Sequence, residues 1–137
     1  MSVTASQSPE LFWLAAVTAL TAVLWIPYVL NRIIENGLWA PLRRAPAEIP
    51  PRAIWAVRMA AAHQNAVENL VIFAGFVLVA VIAHRTNAAT AQATMTYFIA
   101  RVVHFIVYTA GIPVLRTLAF AVGWVACLRI ALAIFGF

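Results

Sequence analysis

Polar side chains that could do chemistry interrupt the apolar segments of this sequence at helical spacing. Residues three, four or seven positions apart lie on one face of an α-helix, and the chain holds two such stripes and a polar pair. Their members are Arg58, Asn65 and Glu68 in the first stripe, Arg101, His104 and Tyr108 in the second, and Arg116 and Thr117 in the pair. The spacing predicts that each stripe points one way from its helix.

These side chains have the chemistry of a binding site for a small zwitterion. Guanidinium groups match carboxylates with paired hydrogen bonds, and a single carboxylate such as Glu68 suits an ammonium group. If the two stripes face each other, the guest they predict carries more than one carboxylate and one amine. A glutathione-like tripeptide has these groups, and a nearby arginine could hold its thiol as a thiolate.

Each of these residues also has a purely structural interpretation. Glu68 and Arg101 could form an ion pair between helices, which is compatible with forming the floor of a pocket. His104 could be a hydrogen-bonded packing residue, and Tyr108 and His63 could be interfacial side chains. No metal site is predicted, because His63 and His104 lack cysteine or acidic companions at metal-ligand spacing.

The composition indicates what must hold these side chains in place. Of 137 residues, 65% are hydrophobic and only 9% are charged, against roughly 25% in an average soluble domain. A soluble domain this small needs far more polar surface. The net charge of +5 therefore does not indicate nucleic-acid binding. The sequence predicts an integral membrane protein and excludes a soluble domain and a disordered chain.

Four apolar stretches are each long enough to cross a bilayer as a helix of about 20 residues. We predict an all-α bundle of four transmembrane helices in a single membrane domain of residues 1–137, with helices at about 9–35, 60–84, 90–111 and 113–136. Ser8, Pro9 and Glu10 are typical of a helix start. Pro27 is expected to kink the first helix.

The arginines predict the orientation in the membrane. All nine basic residues are arginine, and five of them lie in or beside the connection at about 36–58, namely Arg32, Arg43, Arg44, Arg52 and Arg58. Positively charged connections favour the cytoplasm, so this connection and the third one are predicted to be cytoplasmic, and both termini periplasmic. The connection also holds Pro41, Pro46, Pro50 and Pro51, which exclude one long helix.

At this point the polar segments resemble a known family. They read RMAAAHQNAVE from Arg58, RVVHFIVY from Arg101 and PVLRT from Pro113. This combination is similar to the MAPEG family, the membrane-associated proteins in eicosanoid and glutathione metabolism, and most similar to its bacterial branch. The resemblance runs from about Arg58 to the end of the chain, and the four-helix layout agrees with it.

The resemblance implies a homotrimer of four-helix subunits in the bacterial inner membrane, with glutathione bound between neighbouring subunits in the cytoplasmic half. It implies that Arg116 stabilises the thiolate, with Thr117 beside it. The remaining positions are implied or candidate glutathione contacts: Asn65, Glu68, Arg101, His104, Tyr108, Arg58 and His63. The expected activity is a glutathione-dependent transferase or peroxidase that acts on lipophilic electrophiles from the bilayer.

Two alternative functions stay open. One is a non-catalytic membrane scaffold with the same fold. Ala61 stands where many members have a basic residue, and Phe120 and Trp124 occupy the aromatic or polar positions after Arg116, so that one hydroxyl contact is missing. The other is a small transporter that depends on Glu68 as a proton or cation site.

Small residues recur on two helices and bear on the oligomer. They are Ala119, Gly123, Cys127 and Ala131 on the fourth helix, and Ala15, Thr18, Ala19 and Ala22 on the first. Such stripes allow close helix approach in lipid, either between subunits or within one subunit.

Overall fold

A computed structural model describes residues 8–44, 48 and 51–137 of the chain. The predictions for residues 1–7, Pro46 and Pro50 lie outside these residues. The six described helices are α1 Pro9–Val23, α2 Ile26–Asn36, α3 Trp39–Arg43, α4 Ile54–Ile82, α5 Ala88–Ala110 and α6 Pro113–Phe135. Within the described part, four helices are long and apolar enough to span a membrane, with α1 and α2 together forming the first. The predicted all-helical, four-span architecture is confirmed.

The first span begins and breaks where its prolines and caps require. The Ser8 hydroxyl accepts a hydrogen bond from the Leu11 backbone N–H at 3.5 Å, with Pro9 in the first turn. In a straight helix, the ring of Pro27 would collide with the backbone carbonyl of Val23, four residues earlier. Helix α1 ends at Val23. Helix α2 restarts at Ile26, so the predicted kink is confirmed as a break.

The start of α4 differs from its sequence prediction. Hydropathy placed the start near residue 60, whereas the helix begins at Ile54. Hydropathy predicts only the part of a helix that lies in lipid. The helical hydrogen bonding of α4 extends beyond that part, back to Ile54 beside the proline-rich connection. The Glu35 carboxylate at the end of α2 accepts hydrogen bonds from the backbone N–H groups of Arg52 at 2.8 Å and Ala53 at 3.0 Å. This contact joins α2 to the entry of α4.

A tight corner connects α5 to α6. Gly111 ends α5 in the left-handed conformation with φ of 79°, which favours glycine because it has no Cβ. Pro113 then opens α6, where its missing N–H costs nothing. The corner makes α5 and α6 antiparallel neighbours, so that the end of one and the start of the other lie at the same membrane face.

The packed centre of the bundle is formed by α1, α4, α5 and α6. Its largest contact is the stack of Phe73 on Tyr97, with ring centroids 3.8 Å apart, and Val17, Val77 and Ile130 are fully buried around it. The small residues of α6 are also buried within the subunit, so this stripe serves internal packing. Ala15, Thr18, Ala19 and Ala22 of α1 are exposed.

Candidate functional site

Three helices converge on a polar pocket at the membrane face where α4 and α6 begin and α5 ends. It is an open pocket of about 280 Å³. Helix α4 contributes one side chain, α5 two and α6 three: Asn65, His104, Tyr108, Arg116, Thr117 and Phe120. Five of these six residues were predicted as site residues from the sequence, and the two stripes do face each other.

Arg101 lies behind this pocket rather than on its surface. Its side chain is only 4% exposed, and its Nη1 donates a hydrogen bond to Asn65 Oδ1 at 3.2 Å. The guanidinium carbon is 5.4 Å from the ring centroid of Phe120, close enough for a cation–π contact. Because Asn65 turns its oxygen toward Arg101, its NH₂ group is the end of the amide left to donate to a ligand.

Arg116 is the cation that lines the pocket itself. It is half-buried, and its guanidinium carbon lies 4.6 Å from the ring centroid of Tyr108. The contact with the ring face restrains the guanidinium without using any of its N–H donors on a carboxylate. Arg116 therefore offers several hydrogen-bond donors and a full positive charge to an anion in the pocket.

Two further lining side chains, His104 and Thr117, are held by contacts within their own helices. His104 is 3% exposed and contacts Tyr108 edge-on, with ring centroids 5.5 Å apart. The Thr117 hydroxyl donates to the backbone oxygen of Pro113 at 3.1 Å. Its oxygen therefore faces a ligand as an acceptor.

Besides Arg101, three predicted site residues lie outside the pocket lining. Glu68 is exposed and accepts a hydrogen bond from Gln64 Nε2 at 3.0 Å, while Arg101 bonds to Asn65 instead of Glu68. His63 shares a hydrogen bond of 2.9 Å with the Tyr28 hydroxyl on α2.

Arg58, the third of these residues, lies at the α5–α6 corner. Its Nη1 donates to the backbone oxygen of Ala110 at 3.5 Å, and a Cβ added at Gly111 would collide with its guanidinium. Arg58 therefore packs against the corner that places Arg116, and not against the pocket itself.

Two residues that support the site were missed in the sequence. Tyr97 lies one turn before Arg101 and so continues its stripe, with the Arg101 guanidinium 5.1 Å from the Tyr97 ring centroid. Gly123 provides the space for Arg101, because a Cβ at this position would lie 2.8 Å from Arg101 Nη2. The four-residue spacing to Arg101 indicated Tyr97 in the sequence. The role of Gly123 depends on how α6 is rotated toward α5, which the sequence does not indicate.

Charge and chemistry both favour an organic anion at this pocket. Arg116 lines it and Arg101 lies directly behind it, and no acidic residue is among its lining side chains. Among the residues that the structure describes, no three His, Cys, Asp or Glu side chains form a group that could hold a metal ion.

Comparison with known proteins gives one match. The model of the MAPEG family matches residues 11–136 of the chain. No curated protein and no solved structure was found to match it.

Proposed function

Because the chain belongs to the MAPEG family, we propose that it is a glutathione-dependent transferase or peroxidase that acts on lipophilic electrophiles within the membrane. The observation that carries this proposal is the pocket in which Arg116 is surrounded by the polar side chains of three helices. The matched residues 11–136 include every member of this pocket.

The donor set suits the groups of glutathione. Asn65, His104 and Tyr108 supply neutral hydrogen-bonding groups for the peptide backbone, and Arg116 supplies a cation. Glu68, at the exposed surface one turn from Gln64, suits the ammonium group. The buried Nε of Arg101 has no hydrogen-bond partner in the described residues, which leaves the Arg101 guanidinium with unused donor capacity.

Glutathione supplies a thiol nucleophile when it is bound. The positive charge of Arg116 favours the deprotonated form of a thiol beside it, because an opposite charge within hydrogen-bonding reach lowers the pKa of the group. Asn65, His104 and Tyr108 hold the peptide in one orientation, which lowers the entropic barrier to attack on a second substrate.

An oligomer would complete the site. Glutathione has two carboxylates, and a single chain places one cation, Arg116, on the pocket lining. The pocket is open, so a neighbouring subunit can supply further donors. We therefore propose the homotrimer that the family resemblance implies, in the bacterial inner membrane with the site on the cytoplasmic side.

Arg116→Ala tests the proposed chemistry. This variant should keep the helical fold but lose conjugation of glutathione to a chlorodinitrobenzene, by about 100-fold or more in kcat, as for removal of one charge-stabilising group in other enzymes. Arg129→Ala is the matched control, because Arg129 lies on the same helix and does not line this pocket. Unchanged turnover in Arg116→Ala would remove Arg116 from the mechanism.

The scaffold alternative rests on Ala61, which stands where many members have a basic residue, and on Phe120, which presents no hydroxyl to the pocket. Glutathione binding separates the two functions, because a ligand that binds only the folded state raises the melting temperature. We expect millimolar glutathione to stabilise the protein in detergent. No stabilisation by glutathione would favour the scaffold, and stabilisation without conjugation would show that binding persists while the chemistry has been lost.

A further inference from the structure

A second pocket lies between α4, α5 and α6 and shares no lining residue with the polar pocket. Its volume is about 220 Å³. Most of its lining is apolar, with one amide, one phenol and one thiol among the contributing side chains: Asn69, Ile72, Phe76, Tyr97, Trp124, Cys127, Leu128 and Ala131.

This apolar pocket lies one helical turn farther into the membrane than the polar pocket. Helices α4 and α6 each supply it with a residue four positions from one that lines the polar pocket. Asn69 follows Asn65, and Trp124 follows Phe120. On α5, Tyr97 lies four positions before Arg101 and seven before His104, so the nearest lining residues of the two pockets are offset by about 6 Å on α4 and α6 and by about 10 Å on α5.

Arg101 lies between the two pockets. Its guanidinium carbon is 5.1 Å from the Tyr97 ring centroid on one side and 5.4 Å from the Phe120 ring centroid on the other. A molecule in the apolar pocket is therefore separated from the Arg116 site by one guanidinium layer. The arrangement suits a partner molecule that enters from the bilayer while the polar ligand enters from water.

The Tyr97 hydroxyl gives the apolar pocket a specific polar group. Tyr97 is 1% exposed, and its Oη has no hydrogen-bond partner among the described residues. The ring is held by its parallel stack on Phe73, at 3.8 Å between centroids, so the hydroxyl cannot readily turn toward another group. A buried hydroxyl without a partner is costly, and a ligand with an acceptor atom would remove that cost.

We propose that this pocket binds a small apolar molecule that carries one hydrogen-bond acceptor, with the Tyr97 hydroxyl as donor. An apolar cavity of about 150 Å³ can hold benzene, so 220 Å³ accommodates one aromatic ring with a nitro or carbonyl substituent. That this molecule is the electrophilic co-substrate rests on the proposed function, whereas its binding does not.

Cys127 provides a direct measure of pocket occupancy. It is the only cysteine of the chain, it is free, and it lines the pocket. We would measure its alkylation rate by N-ethylmaleimide on the full-length protein in detergent without glutathione, using intact mass. Nitrobenzene should slow the reaction in a saturable way. Toluene, which is similar in shape but has no acceptor, should protect more weakly.

Two variants test the assigned contacts. Tyr97→Phe removes only the hydroxyl, so nitrobenzene should bind about fivefold to tenfold more weakly, the value of one hydrogen bond, while toluene is unaffected. Leu128→Trp fills the pocket and should abolish protection by both compounds. Leu132→Trp is its control, since Leu132 is 42% exposed against 41% for Leu128 but does not line the pocket.

The outcomes separate this proposal from the proposed function. Protection of Cys127 by nitrobenzene without any glutathione conjugation would support the pocket and overturn the enzymatic proposal. Conjugation with no protection, or protection that is equal in Tyr97→Phe and the parent, would overturn the pocket. A Cys127 that stays unreactive and insensitive to both compounds would show that the pocket is closed to small molecules, and would also overturn the proposal.

Discussion

At the scale of single residues, the site depends on a buried cation with one polar partner. Arg101 is 4% exposed and bonds to a neutral amide, Asn65, with aromatic rings on two sides. Cation–π contacts offset only part of the cost of removing a guanidinium from water. Loss of the single hydrogen bond to Asn65 should therefore cost more unfolding free energy than loss of an exposed polar contact.

Asn65→Leu should lower the free energy of unfolding by about 1 to 3 kcal/mol, because it leaves the buried Arg101 Nη1 without a partner. Thermal unfolding in detergent, followed by circular dichroism, measures the loss. Gln64→Leu is the control on the same helix: its amide bonds to the exposed Glu68, so the change should stay within about 0.5 kcal/mol.

The double variant Asn65→Leu with Arg101→Met gives the decisive comparison. Replacing both partners by apolar side chains removes the unpaired charge, so it should restore much of the stability lost in Asn65→Leu. Equal losses in Asn65→Leu and Gln64→Leu would contradict the importance assigned to the Arg101 contact.

At the scale of helices, close approach of α5 and α6 decides where the Arg101 guanidinium lies. Gly123 on α6 has no side chain, and Arg101 of α5 occupies the space that a Cβ would take, with Nη2 at 2.8 Å and Nε at 3.2 Å from it. The same helix pair carries five of the six residues that line the polar pocket. A shift at this contact should therefore alter ligand binding as well as stability.

Gly123→Ala should displace the Arg101 guanidinium and so reduce the stabilisation that glutathione gives. The readout is the difference in melting temperature with and without glutathione. Gly75→Ala is the matched control, since a Cβ at Gly75 meets nothing within 4 Å, and alanine should stabilise the helix by about 0.5 to 1 kcal/mol. If glutathione raises the melting temperature of Gly123→Ala as much as that of the parent, Gly123 does not have the positioning role assigned to it.

A second helix contact ties the start of α1 to the start of α5. The buried Glu10 carboxylate accepts hydrogen bonds from Thr90 Oγ1 at 2.7 Å and Ser8 Oγ at 3.0 Å. Thr90→Val keeps the shape but removes both this donor and the acceptor of the Asn87 backbone N–H at 2.8 Å, and should cost about 1 to 3 kcal/mol of unfolding free energy in thermal melts.

Thr96→Val is the control for this contact, because the Thr96 hydroxyl bonds only to Gln92 of its own helix. It should be nearly neutral. A Thr90→Val protein as stable as the Thr96→Val protein would show that the Glu10 contact does not hold the two helices together.

The helices and the polar stripes were predictable because periodicity and proline sterics act locally. Pro27 predicted its break, and the spacing of His104 and Tyr108 predicted a shared face that lines the pocket, with Arg101 buried behind it. The hydrogen-bond partners of Glu68 and His63 were not predictable. They depend on how each helix is rotated in the bundle and on how far a side chain reaches, and neither is determined by spacing within one helix.

At the scale of the whole molecule, the charges are distributed unequally between the two ends of the bundle. Arg43, Arg44, Arg52 and Arg58 are exposed at or beside the first connection, and Arg116 begins α6 at the same end. The opposite end has Arg85 in the second connection, the exposed Arg129 near the end of α6 and the buried Glu10. Such an asymmetry favours insertion with the arginine-rich end in the cytoplasm, the side on which glutathione would enter the polar pocket.

Single cysteines report this orientation. In a Cys127→Ala background, Glu48→Cys marks the first connection and Thr86→Cys the second, and both positions are exposed. In intact cells of a bacterial host, a membrane-impermeant maleimide should label the Thr86→Cys protein and not the Glu48→Cys protein. After permeabilisation it should label both, and the cysteine-free parent should stay unlabelled throughout. Labelling of Glu48→Cys alone in intact cells would invert the topology and place the polar pocket away from cytoplasmic glutathione.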